Sequence, residues 1–267
     1  MSSGWRRWFW EPETPGESAG LPVRVANLLL VAVLAALLTW AAFARLDYTW
    51  DWGRYAEYAP MLWHGWLLTV GISLGALVLS LLLGVAVAMG RRSRVLALRY
   101  VCQGYIELIR GTPLLVQIII LWYVFFNAVG LPNDWRIPAS MLILALYAAA
   151  YIAEIVRAGI EGVGRSQLES AKAIGLTSGQ TFRHVVFPQA LRATLPPLAG
   201  QLATLIKDSS LLSVIAVSEF TYASQNVVAM TYLSFEGYLP LAVGYLILTL
   251  PLSLWTQRLE RQLRYDT

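Results

Sequence analysis

Apolar residues run along this chain in long blocks, and polar residues gather between them. A soluble helix shows one apolar stripe, whereas roughly 20 consecutive apolar residues in helical form cross the hydrocarbon core of a bilayer. Leu28 to Ala44 carries no charge, and Leu67 to Met89 is a longer uncharged block rich in Leu, Val, Gly and Ala. Leu114 to Val129 forms a third block that starts earlier than its apolar residues, and Ile137 to Ala153 a fourth that continues as a helix past Glu154. Leu191 to Val217 is long enough for a fifth but is interrupted by Lys207-Asp208-Ser209-Ser210, and Tyr238 to Trp255 is the sixth. The pattern predicts an all-α, polytopic integral membrane protein with about six transmembrane helices.

Composition agrees. Of 267 residues, 57% are apolar and 13% charged, with a mean hydropathy of +0.57. An ordinary soluble domain carries about 25% charged residues, so the polar surface needed to enclose a large core in water is missing. The single cysteine, Cys102, excludes an intramolecular disulfide, and with only His64 and His184 beside it no structural zinc set is available.

The positive-inside rule assigns orientation. With the N-terminus in the cytoplasm, Arg6, Arg7, Arg24, Arg91, Arg92, Arg94, Arg99, Arg165, Lys172, Arg183, Arg192, Arg258, Arg261 and Arg264 lie inside. Only Arg45, Arg54 and Arg136 fall outside, and Arg110, Arg157 and Lys207 lie near or within spans. This asymmetry predicts a multi-pass protein of the cytoplasmic (inner) membrane with both termini in the cytoplasm. The net charge of +4 is then a signal of topology and of attraction to anionic lipid, not of nucleic-acid binding.

Residues 1–27 read as a cytoplasmic tail, with Trp5, Trp8, Phe9 and Trp10 resting at the interface. Residues 28–60 read as a first helix and external loop, 61–259 as the main transmembrane domain, and 260–267 as a short cytoplasmic tail. Ala42-Phe43-Ala44 resembles a signal-peptidase site, but the apolar run is long and its leader carries Glu11, Glu13 and Glu17, which favours a retained helix.

Enzymatic motifs are not supported. Gly71-Ile72-Ser73-Leu74-Gly75 matches a nucleophile elbow, yet it lies inside an unbroken apolar helix with no acid and histidine to complete a triad. Gly71, Gly75, Gly84 and Ala88 make better sense as small residues that let helices approach. A phosphate-binding loop needs Gly-Lys, whereas Lys172 and Lys207, the two lysines, follow Ala171 and Ile206. Nucleotide energy, if used, comes from another polypeptide.

The segment from Glu161 to Arg192 is the most informative. Ser166-Gln167-Leu168-Glu169 has the form of a capping box, and Gly175 suits a left-handed helix stop. Thr177-Ser178-Gly179-Gln180 is a second capping box, opening a short helix that ends near Pro188. Leu168, Ala171, Ile174, Phe182, Val185 and Val186 are too many apolar residues for a solvated linker and too few for a domain. Two readings stand: a docking element for a cytoplasmic partner, or an interfacial helix folded onto the membrane.

Glu169-Ser170-Ala171, then Gly175, then Pro188 resembles the Glu-Ala-Ala loop of bacterial ABC importer membrane subunits, with Ser170 where alanine is usual. Glu107 to Gln117, which includes Arg110-Gly111-Thr112-Pro113, resembles the signature of the polar amino-acid permeases of that group. So do Tyr151 to Ile160 and Lys207 to Leu211, and the likeness covers roughly 62–259. It implies a five-helix importer core to which an N-terminal helix has been added, with a coupling loop over 161–192. It also implies docking of Glu169 to Gly175 on a separate ATP-binding subunit that holds ATP and magnesium, so that this chain carries no cofactor or metal. A second permease, identical or related, and an extracytoplasmic solute-binding protein are the other implied partners. Glu219 and Glu236, in outward segments poor in base, leave room for that binding protein.

Ionisable residues at membrane depth are functional candidates by default. Glu154 shares a helical face with Tyr147, Tyr151 and Arg157, which suits an amino-acid ammonium or equally a helix-packing ion pair between Glu154 and Arg157. Lys207-Asp208-Ser209 breaks the fifth span, either to line a solute cavity or, through Lys207 pairing with Asp208, to permit a kink. Arg110-Gly111-Thr112-Pro113 is a turn at a helix start, and it reads as scaffold before gate. The expected function is import of a polar amino acid or close analogue, without covalent chemistry. An opine, a sulfur compound or an amino-acid derivative is the nearest alternative solute, and an autonomous channel or integral-membrane enzyme a more remote one.

Overall fold

The computed structural model describes residues 20–44, 48–130 and 132–263. Trp5, Trp8, Phe9 and Trp10, the acids Glu11, Glu13 and Glu17, and Arg6, Arg7, Arg45 and Arg264 lie outside them. The chain forms two units, residues 1–50 and 51–267. In the first, helix α1 (Leu21–Phe43) is long and apolar enough to cross a membrane. Its polar side chains Asn27 and Thr39 donate to the carbonyls of Val23 and Ala35 four residues back.

The second unit opens with the short α2 (Trp52–Ala56), whose N-cap Asp51 accepts from Arg54 N. Helix α3 (Ala59–Arg91) follows, then α4 (Leu96–Gly111), α5 (Leu114–Ile119) with its π-helical continuation Ile120–Phe126, and α6 (Arg136–Glu161). After them come α7 (Arg165–Ala173), α8 (Ser178–Thr181), α9 (Phe187–Asp208), α10 (Phe220–Thr231) and α11 (Ser234–Leu263). The architecture is all-α. Helices α1, α3, α6 and α11 each suffice as spans, and the count reaches six when two bent pairs are included.

The bends show where the apolar pattern was insufficient. Helix α4, over residues expected to belong to a loop and the start of the third span, meets α5 and its continuation at 110°. It is amphipathic, burying Cys102 and Ile106 and exposing its other faces, so no apolar block marks it. Gln117 holds the corner by donating to the carbonyls of Ile109 and Thr112 and to Thr112 Oγ1, at 2.7, 3.1 and 2.8 Å. Pro113, expected early within the span, is instead the N-cap of α5.

The fifth span is not broken at Lys207. Helix α9 tightens at Ser209 into a 3₁₀ helix through Ile215, and the chain turns only at left-handed Ala216, 47° before α10. Ser209 and Ser210 explain the tightening, because their hydroxyls bond the carbonyls of Ile206 and Lys207 three residues back at 2.8 and 2.7 Å. Pro188 likewise fails to stop its helix. A π turn over Phe182–Val186 precedes it, and the widened register accommodates the ring and the missing N–H within the first turn of α9.

The core lies where α3, α5, α6 and α9 meet, around Ile72, Ala76, Ile118, Ile143, Leu144 and Leu205. Gly84 lies at a tight contact between α3 and α6: a Cβ there would stand 2.6 Å from Ile152 Cγ2 and 3.0 Å from the Ala149 carbonyl. Gly75 abuts Met141, and Ala88 packs with Ile106, Ala150 and Ala153. Gly71, expected on the same packing face, looks into open space.

Glu219 and Glu236, expected in outward loops, are completely buried. Glu219 is the N-cap of α10 and accepts from Thr221 N and Tyr222 N, both at 2.8 Å, and from Tyr245 Oη at 3.0 Å. The positive end of the helix and these donors offset the cost of a carboxylate in an apolar setting. Glu236 accepts from Asp51 N at 2.7 Å, tying the first turn of α11 to the start of the unit. Neither side chain is available to an external protein.

Candidate functional site

Two features stand at the same end of the second unit: an ion-pair cluster at the ends of α3, α4 and α6, and the bracket made by α7 and α8. The cluster centres on Glu154, whose side chain is 18% exposed. Arg157, one turn further along α6, reaches it through Nη2 at 2.9 Å and Nε at 3.2 Å, and pairs with Glu161 at 2.5 Å. Two arginines that the apolar pattern does not place here join the same carboxylate. Arg91 from the last turn of α3 bonds Oε1, and Arg110 from the last turn of α4 lies 3.5 Å from Oε2. Three guanidiniums on one carboxylate link three helix ends through charge-assisted contacts.

The ion pair with Arg157 is therefore present, and the carboxylate is occupied in this conformation rather than open to a solute ammonium. One turn back on α6, the hydroxyls of Tyr151 and Tyr147 lie 3.1 Å apart, and the Arg110 guanidinium sits 5.6 Å from the Tyr151 ring centroid. Thus Tyr147, Tyr151, Glu154, Arg157 and Arg110 form one polar neighbourhood, and Asp208 stands half-buried at the end of α9. Lys207 is exposed and forms no salt bridge with Asp208 among the described residues, and Ser209 is buried with its hydroxyl bonded to backbone. Gly111 and Thr112 serve the corner between α4 and α5.

The bracket is built locally. Helix α7 begins at Gly164, and no side chain caps it; Ser166, expected to cap, lies inside its first turn. The Gly164 carbonyl there accepts from Gln167 N and Leu168 N. At the other end Gly175 has φ +82°, Leu176 N bonds the Ala171 carbonyl and Gly175 N the Lys172 carbonyl. These two bonds define a Schellman stop, which the glycine makes without steric cost. The second capping box is complete: Thr177 Oγ1 accepts from Gln180 N, and Gln180 Oε1 accepts from Thr177 N.

Ala171 faces inward and is buried, while Glu169, Ser170, Lys172 and Gly175 are exposed, and Ile174 is 76% exposed. Gln189, just beyond Pro188, donates to Gln167 and to the Val185 carbonyl at 2.5 and 2.9 Å, holding α7 against the π turn. A cleft of about 380 Å³ between them is lined by Gln167, Ser170, Ala171, Ile174, Leu176 and Val185. No group of three or more metal-ligating side chains occurs among the described residues.

This membrane architecture is that of a transport subunit. Residues 80–265 match the family described as the binding-protein-dependent transport system inner membrane component, and the chain belongs to that family. It is accordingly a multi-pass inner-membrane protein and the permease part of an ABC importer, with the ATPase on a separate subunit. The chain is 37% identical over 203 residues to the probable glutamine ABC transporter permease protein GlnM of Bacillus subtilis (strain 168), a match covering 76% of this chain and 93% of that one. It is 36% identical to the glutamine transport system permease protein GlnP of Escherichia coli (strain K12), over 80% of this chain and 98% of the relative. The permease of a crystal structure described as an amino acid ABC transporter with histidines superposes with a TM-score of 0.75 at 32% identity, covering 80% of this chain and all of the other.

Proposed function

We propose that this chain moves a polar amino acid or a close derivative into a bacterial cytoplasm, driven by a partner subunit that binds ATP and magnesium. The observation that carries the reading is α7: a short helix with Glu169, Lys172 and Ile174 exposed, closed by a left-handed glycine and braced from behind by Gln189. A helix that is rigid yet uncovered is suited to docking, and it supports assignment of Glu169, Ser170, Ala171, Gly175 and Pro188 to the contact with the ATP-binding dimer. The glutamine relatives and the amino-acid transporter structure support the solute class.

In this reading both termini face the cytoplasm, which supports placing α7 and the Glu154 cluster on that side. The chain pairs with a second permease, identical or related, and receives solute from an extracytoplasmic binding protein. The solute path follows the face bearing Tyr151, Glu154, Arg157 and Asp208, with Arg110 connecting the Arg110-Gly111-Thr112-Pro113 corner to it. Residues 1–60 lie outside the importer core. The test is co-purification with the products of neighbouring genes and measurement of ATPase activity in lipid with a panel of binding proteins and amino acids. Stimulation by one loaded binding protein, lost in Glu169→Ala and Gly175→Val while that binding protein keeps its solute affinity, is the expected result. Absence of any ATP-binding partner would overturn the reading and leave α7 as an interfacial helix.

A further inference from the structure

An alanine closes the joint between α9 and α10 where the backbone conformation favours glycine. The 3₁₀ turn ends in the two bonds of a Schellman stop, Ala216 N to the Ser213 carbonyl at 3.0 Å and Val217 N to the Leu212 carbonyl at 3.3 Å. Leu212 and Val217 both belong to the core around Ile72 and Leu205. Gly175 fills the left-handed position of the same motif after α7, whereas here it falls to Ala216 at φ 55°. A Cβ in that conformation crowds the carbonyl oxygen, so alanine is strained where glycine would not be.

Contacts from outside the turn hold it. Arg136, in the first turn of α6 and 80 residues away in the chain, donates through Nη1 to the Ala216 carbonyl at 3.0 Å. Its guanidinium lies 5.6 Å from the centroid of the Trp122 ring, which belongs to the π-helical continuation of α5 and stands edge-on to Phe126. The neighbouring Tyr123 donates to the Val214 carbonyl at 3.3 Å. Two carbonyls at the end of the 3₁₀ helix are thus met by side chains of α6 and of the π-helical segment. Tyr232, the other non-glycine residue at positive φ among the described residues, is held differently. It ends α10 with local bonds, its N–H on the Val228 carbonyl and its own carbonyl accepting from Ser234 N.

We infer that Ala216 is a strained hinge and Arg136 its latch: the guanidinium holds the left-handed turn, and its release lets α10 swing relative to α9. A bond from a charged donor to a carbonyl is strong enough to select one backbone conformation. The strain at alanine keeps the alternative conformation within reach, as a glycine would not. The position suits such a device. Asp208 ends α9 before the turn and Glu219 caps α10 after it, so the hinge sets where α10 leaves the helix that carries part of the proposed solute path. Operation of the hinge during solute passage rests on the importer reading; the latch itself does not.

The test is amide hydrogen exchange of the full-length chain in lipid nanodiscs, purified with the subunits that accompany it and read by mass spectrometry at peptides covering 209–219. Arg136→Met is expected to raise exchange there about tenfold, with peptides of α3 and the overall melting temperature unchanged. Arg136→Lys, which keeps a donor but not the planar group over Trp122, should fall between. Ala216→Gly alone relieves the strain and should slow exchange about fivefold. Added to Arg136→Met, it should bring exchange back toward the wild-type rate, a rescue not expected if Arg136 only fills space. Uptake by the reconstituted importer of the amino acid that stimulates its ATPase is the second readout. A hinge that must open works more slowly when tightened, so Ala216→Gly is expected to reduce uptake several-fold although it stabilises the turn. Unchanged exchange in Arg136→Met, no rescue by Ala216→Gly, or full uptake in Ala216→Gly would each overturn the proposal. If no amino acid is taken up by the wild type, the importer reading fails, and the exchange measurements still decide the latch.

Discussion

Glu154 and Arg157 face each other one turn apart on α6, with Nη2 and Oε2 separated by 2.9 Å, and this pair is the hub through which Arg91 and Arg110 bind the ends of α3 and α4. Removing the carboxylate therefore does more than break an i,i+3 pair. Glu154→Gln leaves three guanidiniums, 28%, 45% and 31% exposed, without their common counter-charge. A fully buried unpaired charge costs several kcal/mol and an exposed one little, so a loss of about 1–3 kcal/mol is expected here. Arg110→Gln, removing the most exposed arginine, should cost less than 1 kcal/mol or so. Thermal unfolding of the two variants in detergent checks the order.

Small residues on α3 give a sharper contrast. Gly84→Val places methyl groups where Ile152 and the Ala149 carbonyl already stand, and α3 and α6 must separate or shift. Overpacking of this kind costs about 1–3 kcal/mol. Gly71→Ala meets nothing within 4 Å and should be neutral or slightly stabilising, since alanine is the better helix former. Paired melting curves and expression levels decide it.

These contrasts show what the residues announced and what they withheld. The apolar blocks located the four helices that suffice as spans and part of each bent pair, because crossing a bilayer imposes a length and a composition that few sequences meet by chance. Thr177-Ser178-Gly179-Gln180 and Gly175 were legible because capping and left-handed stops are decided within four or five residues. Helix α4 was not, since an amphipathic helix has no apolar block; Gly111-Thr112-Pro113 marked its end but not its 110° angle to the next helix. Ser166 deceived because the motif was present but the helix starts at Arg165, with Gly164 as its N-cap, so the serine lies inside the first turn. Arg91 and Arg110 reach Glu154 only through the packing of α3 and α4 on α6, a long-range fact no spacing records. Glu219 and Glu236 looked external because acids in short connections usually are, yet backbone amides, and for Glu219 the Tyr245 hydroxyl, make burial tolerable.

Gly175 tests the bracket without touching the membrane core. At φ +82° any residue with a Cβ is strained by roughly 1–2 kcal/mol, and asparagine less than most. Gly175→Val is expected to fray α7 from its C-terminal end while leaving the spans intact. Gly175→Asn should keep most of the wild-type coupling. Limited proteolysis between Lys172 and Arg183, compared with the overall melting temperature, separates local fraying from global loss: increased cleavage with an unchanged melt is the expected result, and a lowered melt without new cleavage would contradict it.

Glu219 offers the converse case, a buried acid that caps two backbone amides at the start of α10. Glu219→Gln keeps one acceptor for Thr221 N and Tyr222 N but gives up the charge that faces the helix end, and a loss of about 1 kcal/mol follows from ordinary capping energies. Glu219→Ala leaves the amides of Thr221 and Tyr222 short of an acceptor in a site with no exposed surface, while Thr69 Oγ1 keeps the Gly65 carbonyl and the Tyr245 hydroxyl can turn to Thr221 Oγ1. Its cost should reach about 2–4 kcal/mol, the sum of a lost cap and an unmet buried donor. Thr69 adds an internal check, because its hydroxyl accepts from Phe220 N at 3.0 Å, beside the Glu219 cap. Thr69→Val should then destabilise the wild type more than it destabilises Glu219→Ala, in which the start of α10 has already loosened. Equal effects in the two backgrounds would mean that the two side chains act independently, and that Glu219 is tolerated in the interior rather than required there.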